Sequence, residues 1–556
     1  MLPTKRQFLH GVSTLSLSGG LSGVLTAGAN AVELPQPGYD AIADGPFKPT
    51  WDSLIAGYKT PDWFRDAKFG LWAHWGPGCV PEYGDWYARK MYQQGNPFYE
   101  HHVKTYGHPS DFGFMEFYPR WKAENWNPED LLDLYVKAGA KYFVAMANHH
   151  DNFDMFDSKF HDWNATRIGP KTDIIGRWEK AARQRGLKFG VSNHSAHAWH
   201  WFQTAYGYDP EGPRAGERYD AYKLSKLDGK GKWWEGLDPQ ELYTGAVMPL
   251  PPGITTIADA NKWHEANDRV WTEEPPLHNP AFTRQWYLRC KDLIDSYNPD
   301  LLYFDDFDLP LGQAGLDIAA HYYNASVKRH GSVQTVLNIK PQGTPRGGYV
   351  ADVERGFRAE ISPDPWQTDT CIGQWHYDRR IYDSKKYLPA AAVIHRLCDI
   401  VSKNGNLLLS IPVRGDGSID SEERRIVEGI GEWMGRFSEA IYGTRPWQVF
   451  GEGPTQVGAG MFGESKQKPY TPQDLRFTTK GKALYAITLG RPENGQITVT
   501  SLARGSKLAR GNVKRVEALG STAPLTFRQD DKGLHVTLPD AAHHDIGVAI
   551  KITGVI

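Results

Sequence analysis

The chain has 556 residues, too many for one compact core, so two or more domains are expected, one of them large enough to be a barrel. Its 63 basic residues nearly cancel 65 acidic ones, which excludes a basic field for nucleic acid. Aromatic content is high, with 20 Trp, 27 Tyr and 23 Phe; indole faces suit the apolar faces of sugars, and equally suit core packing.

Residues 1–31 read as an export signal. Lys5-Arg6 is a basic start, Gly11 to Ala27 a mildly apolar run, and Ala29-Asn30-Ala31 a small-x-small cleavage site. The Lys-Arg-x-Phe-Leu order is similar to a twin-arginine signal, with an ordinary secretory signal as the alternative, and either implies a periplasmic or secreted protein. No later run approaches ~20 apolar residues, so no membrane-spanning helix is expected. Cys79, Cys290, Cys371 and Cys398 are scattered without metal or redox spacing and are expected as buried thiols.

A Pro- and Gly-rich lead-in leads to Phe69–Gly76, a first buried strand ending in a His and a Gly turn. Helices at 129–140 and 174–185 then alternate with strands at 141–147 and 187–193, which run into His149-His150-Asp151 and His194. The stretch 202–280, rich in Gly, Pro and Trp, is too long for a barrel loop and reads as an insertion over the site. A helix at 280–297 leads into Leu301-Leu302-Tyr303-Phe304, a fully apolar run that opens into Asp305, Asp306 and Asp308. Strands at 333–339, 349–353 and 406–413 and helices at 390–402 and 421–437 complete the predicted alternation. Beyond Thr444 the pattern turns to short alternating runs such as 483–489 and 496–499. The fold class is therefore α/β: a (β/α) TIM-like barrel over 32–445, followed by an antiparallel β-sandwich over 446–556.

In a parallel barrel the C-terminal strand ends hold the chemistry. They collect here His74, Asp85, His149, His150, Asp151, His194, Asp305, Asp306, Glu354 and Glu360. Such a set serves either metal-assisted hydrolysis or glycoside hydrolysis by two carboxylates. Adjacent strand residues point to opposite faces, so only one of His149 and His150 is expected at the site. By the same alternation only one of Asp305 and Asp306 can face the barrel mouth.

The stretches FGLWAHWGPGCVPEYGDWYARKMY, KYFVAMANHHDNFDMFDSK, GLKFGV, YNPDLLYFDD, VSKNGNLLLSIPVRGDG and EWMGRFSEAIYGT stand in order over roughly 51–444. Together they resemble the successive motifs of the retaining α-L-fucosidases, glycoside hydrolase family 29. The resemblance implies an exo-acting enzyme that removes terminal α-linked L-fucose from glycans by double displacement, with no cofactor and no metal. Glycosidases for a similar α-L-sugar such as L-galactose, a noncatalytic glycan-binding protein on the same scaffold, and a His/Asp metallohydrolase are the alternatives.

Carried over by motif, the nucleophile is Asp305. The acid/base is Glu354, with Glu360 as second choice. Sugar contacts fall on His74, Trp86, His149 and His150. Asp85 stands where relatives often have Glu, and Lys340 where some have Arg, with loss of the bidentate fork. His194 is a further candidate contact, and Trp366 and Trp375 are candidate walls for the sugar's apolar face. Oligomeric state and linkage preference are not legible in the sequence.

Overall fold

The computed structural model describes residues 41–556, so the leader reading lies outside the described residues. Parallel strands covered on both faces need consecutive apolar positions, and the predicted apolar runs supply them. Eight strands close into a parallel barrel in chain order. They are β1 Phe69–Ala73, β2 Tyr142–Asn148, β3 Lys188–Asn193, β4 Leu301–Phe307, β5 Val336–Lys340, β6 Val350–Asp352, β7 Trp366–Cys371 and β8 Gly405–Ser410. Residues of one parity, among them Trp72, Tyr142, Val144, Leu301, Tyr303 and Leu408, fill the barrel interior. Those of the other parity, among them Leu71, Phe143, Leu302, Phe304 and Leu409, pack outward under the helices. Each buried aliphatic side chain contributes about 1.5–3 kcal/mol. Gly70 is required in this interior: a Cβ there would lie 2.3 Å from the Tyr142 ring.

The helix Pro280–Tyr297 aims the central strand. Asn279 caps it through a bond from the Phe282 amide (3.2 Å) and Pro280 occupies its first turn. It stops at Asn298 in the left-handed conformation (φ 46°), and Pro299 blocks its continuation. Two elements escape the periodicity. Strand β7 reads Trp-Gln-Thr-Asp-Thr-Cys because its inward positions, Gln367 and Asp369, are polar and bond across the barrel to Tyr142 (3.1 Å) and Tyr303 (3.0 Å). The helix Gln313–His330 buries His321 and Asn324, which accept the amides of Ala43 and Phe47 (2.9 Å each), so its core face is not apolar in sequence.

The 202–280 stretch holds short helices, including Ile257–Ala266, and is tied down by buried polar bonds: Arg89 to Asp268 (2.7 Å), and Tyr92 (2.8 Å) and Tyr243 (2.5 Å) to Asp220. After the barrel come β9 Arg445–Glu452, β10 Leu475–Lys480, β11 Ala483–Thr488, β12 Gln496–Val499, β13 Arg515–Ala518, β14 Thr526–Asp530, β15 Gly533–Thr537 and β16 Ala549–Thr553. They form two antiparallel sheets, in the orders β13-β16-β11-β10-β9 and β12-β15-β14, a β-sandwich. All four cysteines are buried and free, and no helix among the described residues is long and apolar enough to cross a membrane.

The sandwich meets the barrel helix Ala390–Ser402 through a buried charge triad. Asp399 takes Arg476 of β10 (2.7 Å) on one oxygen and Lys403 (2.9 Å) on the other, all almost solvent-free. Removing the shared carboxylate strands two cations in low dielectric. Asp399→Ala should therefore destabilise the protein by about 3–5 kcal/mol, read as a lowered urea midpoint. A loss below about 1 kcal/mol, the range of exposed pairs, would show the triad to be dispensable.

Candidate active site

Asp305 follows Leu301 and Tyr303 in parity and emerges at the open end of the barrel, with its side chain 20% exposed. Asp306 points the other way and is fully buried. The β4–β5 register slips between Tyr303 and Phe307, which brings Lys340, the last residue of β5, beside the carboxylate. One Asp305 oxygen accepts from the Lys340 ammonium; the other lies 3.1 Å from His194 Nδ1 and 3.3 Å from His150 Nε2. Burial alone would raise the Asp305 pKa, but Lys340, His194 and His150 outweigh it and hold the group ionised, well below the usual carboxylate range. His150 Nδ1 already donates to the His194 carbonyl (2.6 Å), so its Nε2 donates to Asp305 only as an imidazolium.

The same Lys340 ammonium reaches Glu354 Oε2 at 2.8 Å. Burial opposes charge on Lys340, yet Asp305, Glu354 and Asp369 raise its pKa well above the ordinary value, so the cation is permanent. Two oxygens bonded to one nitrogen stand no more than roughly 6 Å apart. Glu354 lies just past β6 on a segment laid against β7, with Val353 N bonded to Gln367 O and Arg355 N to Asp369 O, both 2.9 Å. The C-terminal region pairs with this segment: Phe462 N donates to Glu354 O (2.8 Å) and Glu464 N to Arg355 O (3.0 Å). Arg355, in the left-handed conformation (φ 47°), meets the Glu464 carboxylate at 3.2 Å and lies over the Trp375 ring. Glu360 is exposed and outside this arrangement.

His74, His149, His376 and Trp375 enclose the space above the carboxylates. His74 stands 4.9 Å from Trp375 and 6.3 Å from His149, and His149 stands 4.6 Å from His376, ring centre to ring centre. Asp85 orients His376 (2.8 Å), and Trp86 lies at the half-buried rim, edge-on to His150. The structure corrects two expectations. Both His149 and His150 face the site, because β2 ends at Asn148 after a register slip and the pair lies in the following turn, where strand alternation no longer applies. Trp366 is not a sugar wall. It is the first residue of β7, at the far end of the strand, where it donates to Lys403 O (2.9 Å) and covers Gly405.

Sequence reasoning missed three participants. His376 adjoins Trp375, and that adjacency was its only signal. Trp72 underlies His74 at 4.0 Å. Asp369 and Asp352 lie near Lys340; burial, together with the Asp352 charge, raises Asp369 well above the usual range, while burial pushes Asp352 up to about 6. Three groups could each bring three metal-ligand atoms within 4.8 Å: His149-His150-His194, Asp85-His149-His376 and His197-Glu273-Asp306. Between Asp305 and Glu354 themselves, the ammonium already occupies the position a cation would take.

His74 and His149 are buried, and burial first, then neighbouring imidazoles, hold both pKa values well below 6.5. The unfolded chain gains protons at these rings below pH 6.5 and the folded one does not, so their contribution to stability is complete above pH 6.5 and is lost as pH falls. The thermal midpoint should drop from pH 6.5 toward pH 5, and His149→Gln should flatten that drop. An equally steep drop in the variant would remove His149 from the account.

The family model described as "Alpha-L-fucosidase" matches residues 37–439, and that described as "Alpha-L-fucosidase C-terminal domain" matches 467–553. Tissue α-L-fucosidase of Homo sapiens is 27% identical over 521 residues, covering 92% of each chain, and plasma α-L-fucosidase of Homo sapiens is 26% identical over 534 residues. Among solved structures, Thermotoga maritima α-fucosidase in complex with fucose superposes with a TM-score of 0.65 at 26% identity, over 91% of this chain and 100% of that one. The same enzyme with a mechanism-based inhibitor gives a TM-score of 0.65 at 25% identity. With the barrel, the paired carboxylates and the C-terminal sandwich all in the matched regions, the chain belongs to the α-L-fucosidases, glycoside hydrolase family 29.

Proposed function

We propose that Asp305 is the nucleophile and Glu354 the acid/base of this exo-acting retaining α-L-fucosidase. The observation that supports the assignment is the single Lys340 ammonium bonded to both carboxylates. It limits their separation to roughly 6 Å, which suits the ~5–5.5 Å of double displacement and leaves no room for the water that an inverting pair at ~6.5–9.5 Å must admit. A terminal α-L-fucosyl residue of a glycan enters the His-lined pocket with its anomeric carbon over Asp305. The carboxylate oxygen attacks that carbon as the glycosidic C–O bond breaks, and Glu354 gives its proton to the departing oxygen. The product of this step is a fucosyl ester on Asp305 with inverted configuration. Glu354, now a carboxylate, takes a proton from water as the water attacks the same carbon; the ester bond breaks and α-L-fucose leaves.

Surrounding residues divide the work by charge. Lys340, His150 and His194 keep Asp305 anionic. Neutral His74 and His149, with His376 held by Asp85, offer hydrogen bonds to ring hydroxyls. Trp375 gives the C6 methyl an apolar face, and L-galactose would place a hydroxyl there.

Asp305→Gly should lose at least about 10³-fold in kcat, and added azide should restore turnover with β-fucosyl azide as product. Glu354→Ala should slow glycans with poor leaving groups far more than activated aryl fucosides, since an aryl oxide departs without a proton. If Asp306→Gly instead shows the azide rescue, or if the first-formed sugar is the β anomer by NMR, the assignment fails.

A further inference from the structure

Strand β4 carries a second acid, Asp306, that the mechanism does not use. Its side chain is fully buried, and among the described residues no hydrogen bond satisfies either oxygen apart from the close approach of one imidazole, His197 Nε2 at 2.5 Å. The same nitrogen lies 3.2 Å from Glu273 of the insertion, whose other oxygen accepts the Phe307 amide (2.8 Å) next to Asp306. One ring thus ties the insertion to the strand of the nucleophile.

The protonation of that ring follows from its neighbours. His200 Nδ1 lies 2.9 Å from the Asp268 carbonyl, which can only accept, so this nitrogen carries the hydrogen. Burial first, then the His197 charge, hold His200 neutral, and its Nε2 is therefore a lone pair. His197 Nδ1, 3.2 Å away, must donate to it. His197 Nε2 then faces the Asp306 carboxylate at 2.5 Å and Glu273 at 3.2 Å, whose own pKa burial and Asp306 push up to about 7, and it donates to them with a second proton on the ring. Burial opposes this charge, but Asp306 and Glu273 overcome it and raise the His197 pKa to about 10.

The clamp ends at an indole. Trp271, two residues before Glu273, stacks on His197 (4.1 Å, 23°), stands edge-on to His150 (5.3 Å), the ring that touches Asp305, and runs parallel to Trp86 (5.7 Å, 0°). Both indoles are half-buried, whereas His74, His149 and His376 are at most 6% exposed. An exo-acting pocket encloses the terminal sugar and leaves the rest of the glycan to cross the rim, so a rim indole meets the next sugar. We propose that Trp271 is a specificity-determining contact for the sugar to which fucose is attached, and that His197, as an imidazolium between Asp306 and Glu273, is the positioning residue that holds it. This rests on the fucosidase reading above.

The test compares a fucosylated disaccharide with 4-nitrophenyl α-L-fucoside. For Trp271→Ala the ratio of kcat/KM on the disaccharide to that on the aryl fucoside should fall about three- to tenfold, the size of one aromatic contact. The loss should lie in KM, and Trp271→Phe should restore most of it. Glu273→Gln should shift the ratio the same way with an unaltered circular dichroism spectrum. In ¹⁵N-histidine NMR spectra one ring, absent from His197→Gln, should remain an imidazolium from pH 5 to 8.5 and lose that state at lower pH in Asp306→Asn. An unchanged ratio in Trp271→Ala, or a loss confined to kcat on both substrates, overturns the specificity role. A neutral His197 ring at pH 7, or a stoichiometric metal in protein purified without chelator that Asp306→Asn loses, overturns the clamp. Wild-type protein inert on both substrates would instead defeat the fucosidase reading itself.

Discussion

The site depends on one buried cation. Lys340 is 4% exposed in side chain and bonded to two acids, and Asp305 could not stay charged at that depth without it. A lone ammonium or carboxylate taken from water costs several kcal/mol, and each is acceptable here because the others are present. The shared nitrogen also limits geometry: two carboxylate oxygens bonded to it stand no more than roughly 6 Å apart. Lysine in place of arginine suits this arrangement, because a point charge on a flexible stem can be shared between two acids from different strands, whereas a planar fork favours one.

Charge is then graded outward. Beside Lys340, burial raises the pKa of both Asp352 and Asp369, and so weakens the negative charge they add. Around Asp305, the His150 and His194 rings stand within 3.3 Å of one carboxylate oxygen. Farther up, burial keeps His74 and His149 neutral, so the surface presented to a sugar is one of hydrogen bonds and indole faces and not of ions.

Neither acid is held by the barrel alone. The Glu354 segment takes backbone bonds from Phe462 and Glu464, so the C-terminal region supports the proposed acid/base directly and through Arg355. The insertion reaches β4, the strand of the proposed nucleophile, through Glu273 and His197. Both additions to the barrel therefore act as supports for the site, consistent with the buried polar bonds that fasten each of them.

The apolar runs and the helices between them determined the barrel by themselves: burial on both faces demands consecutive apolar residues, and the stops at Asn298 and Pro299 or at Gly139 are local chemistry that needs no partner. Parity likewise separated Asp305 from Asp306, because alternation along a strand is a property of the backbone. It failed at His149 and His150, which lie one and two residues past the end of β2; β7 escaped for another reason, its inward residues being polar because their partners come from other strands. The exposure of Glu360, the removal of Trp366, and the placement of His376 and Trp271 beside the site were decided only by tertiary structure. Each depends on which distant segment folds against it, and neither residue type nor spacing encodes a contact with a chain tens or hundreds of positions away.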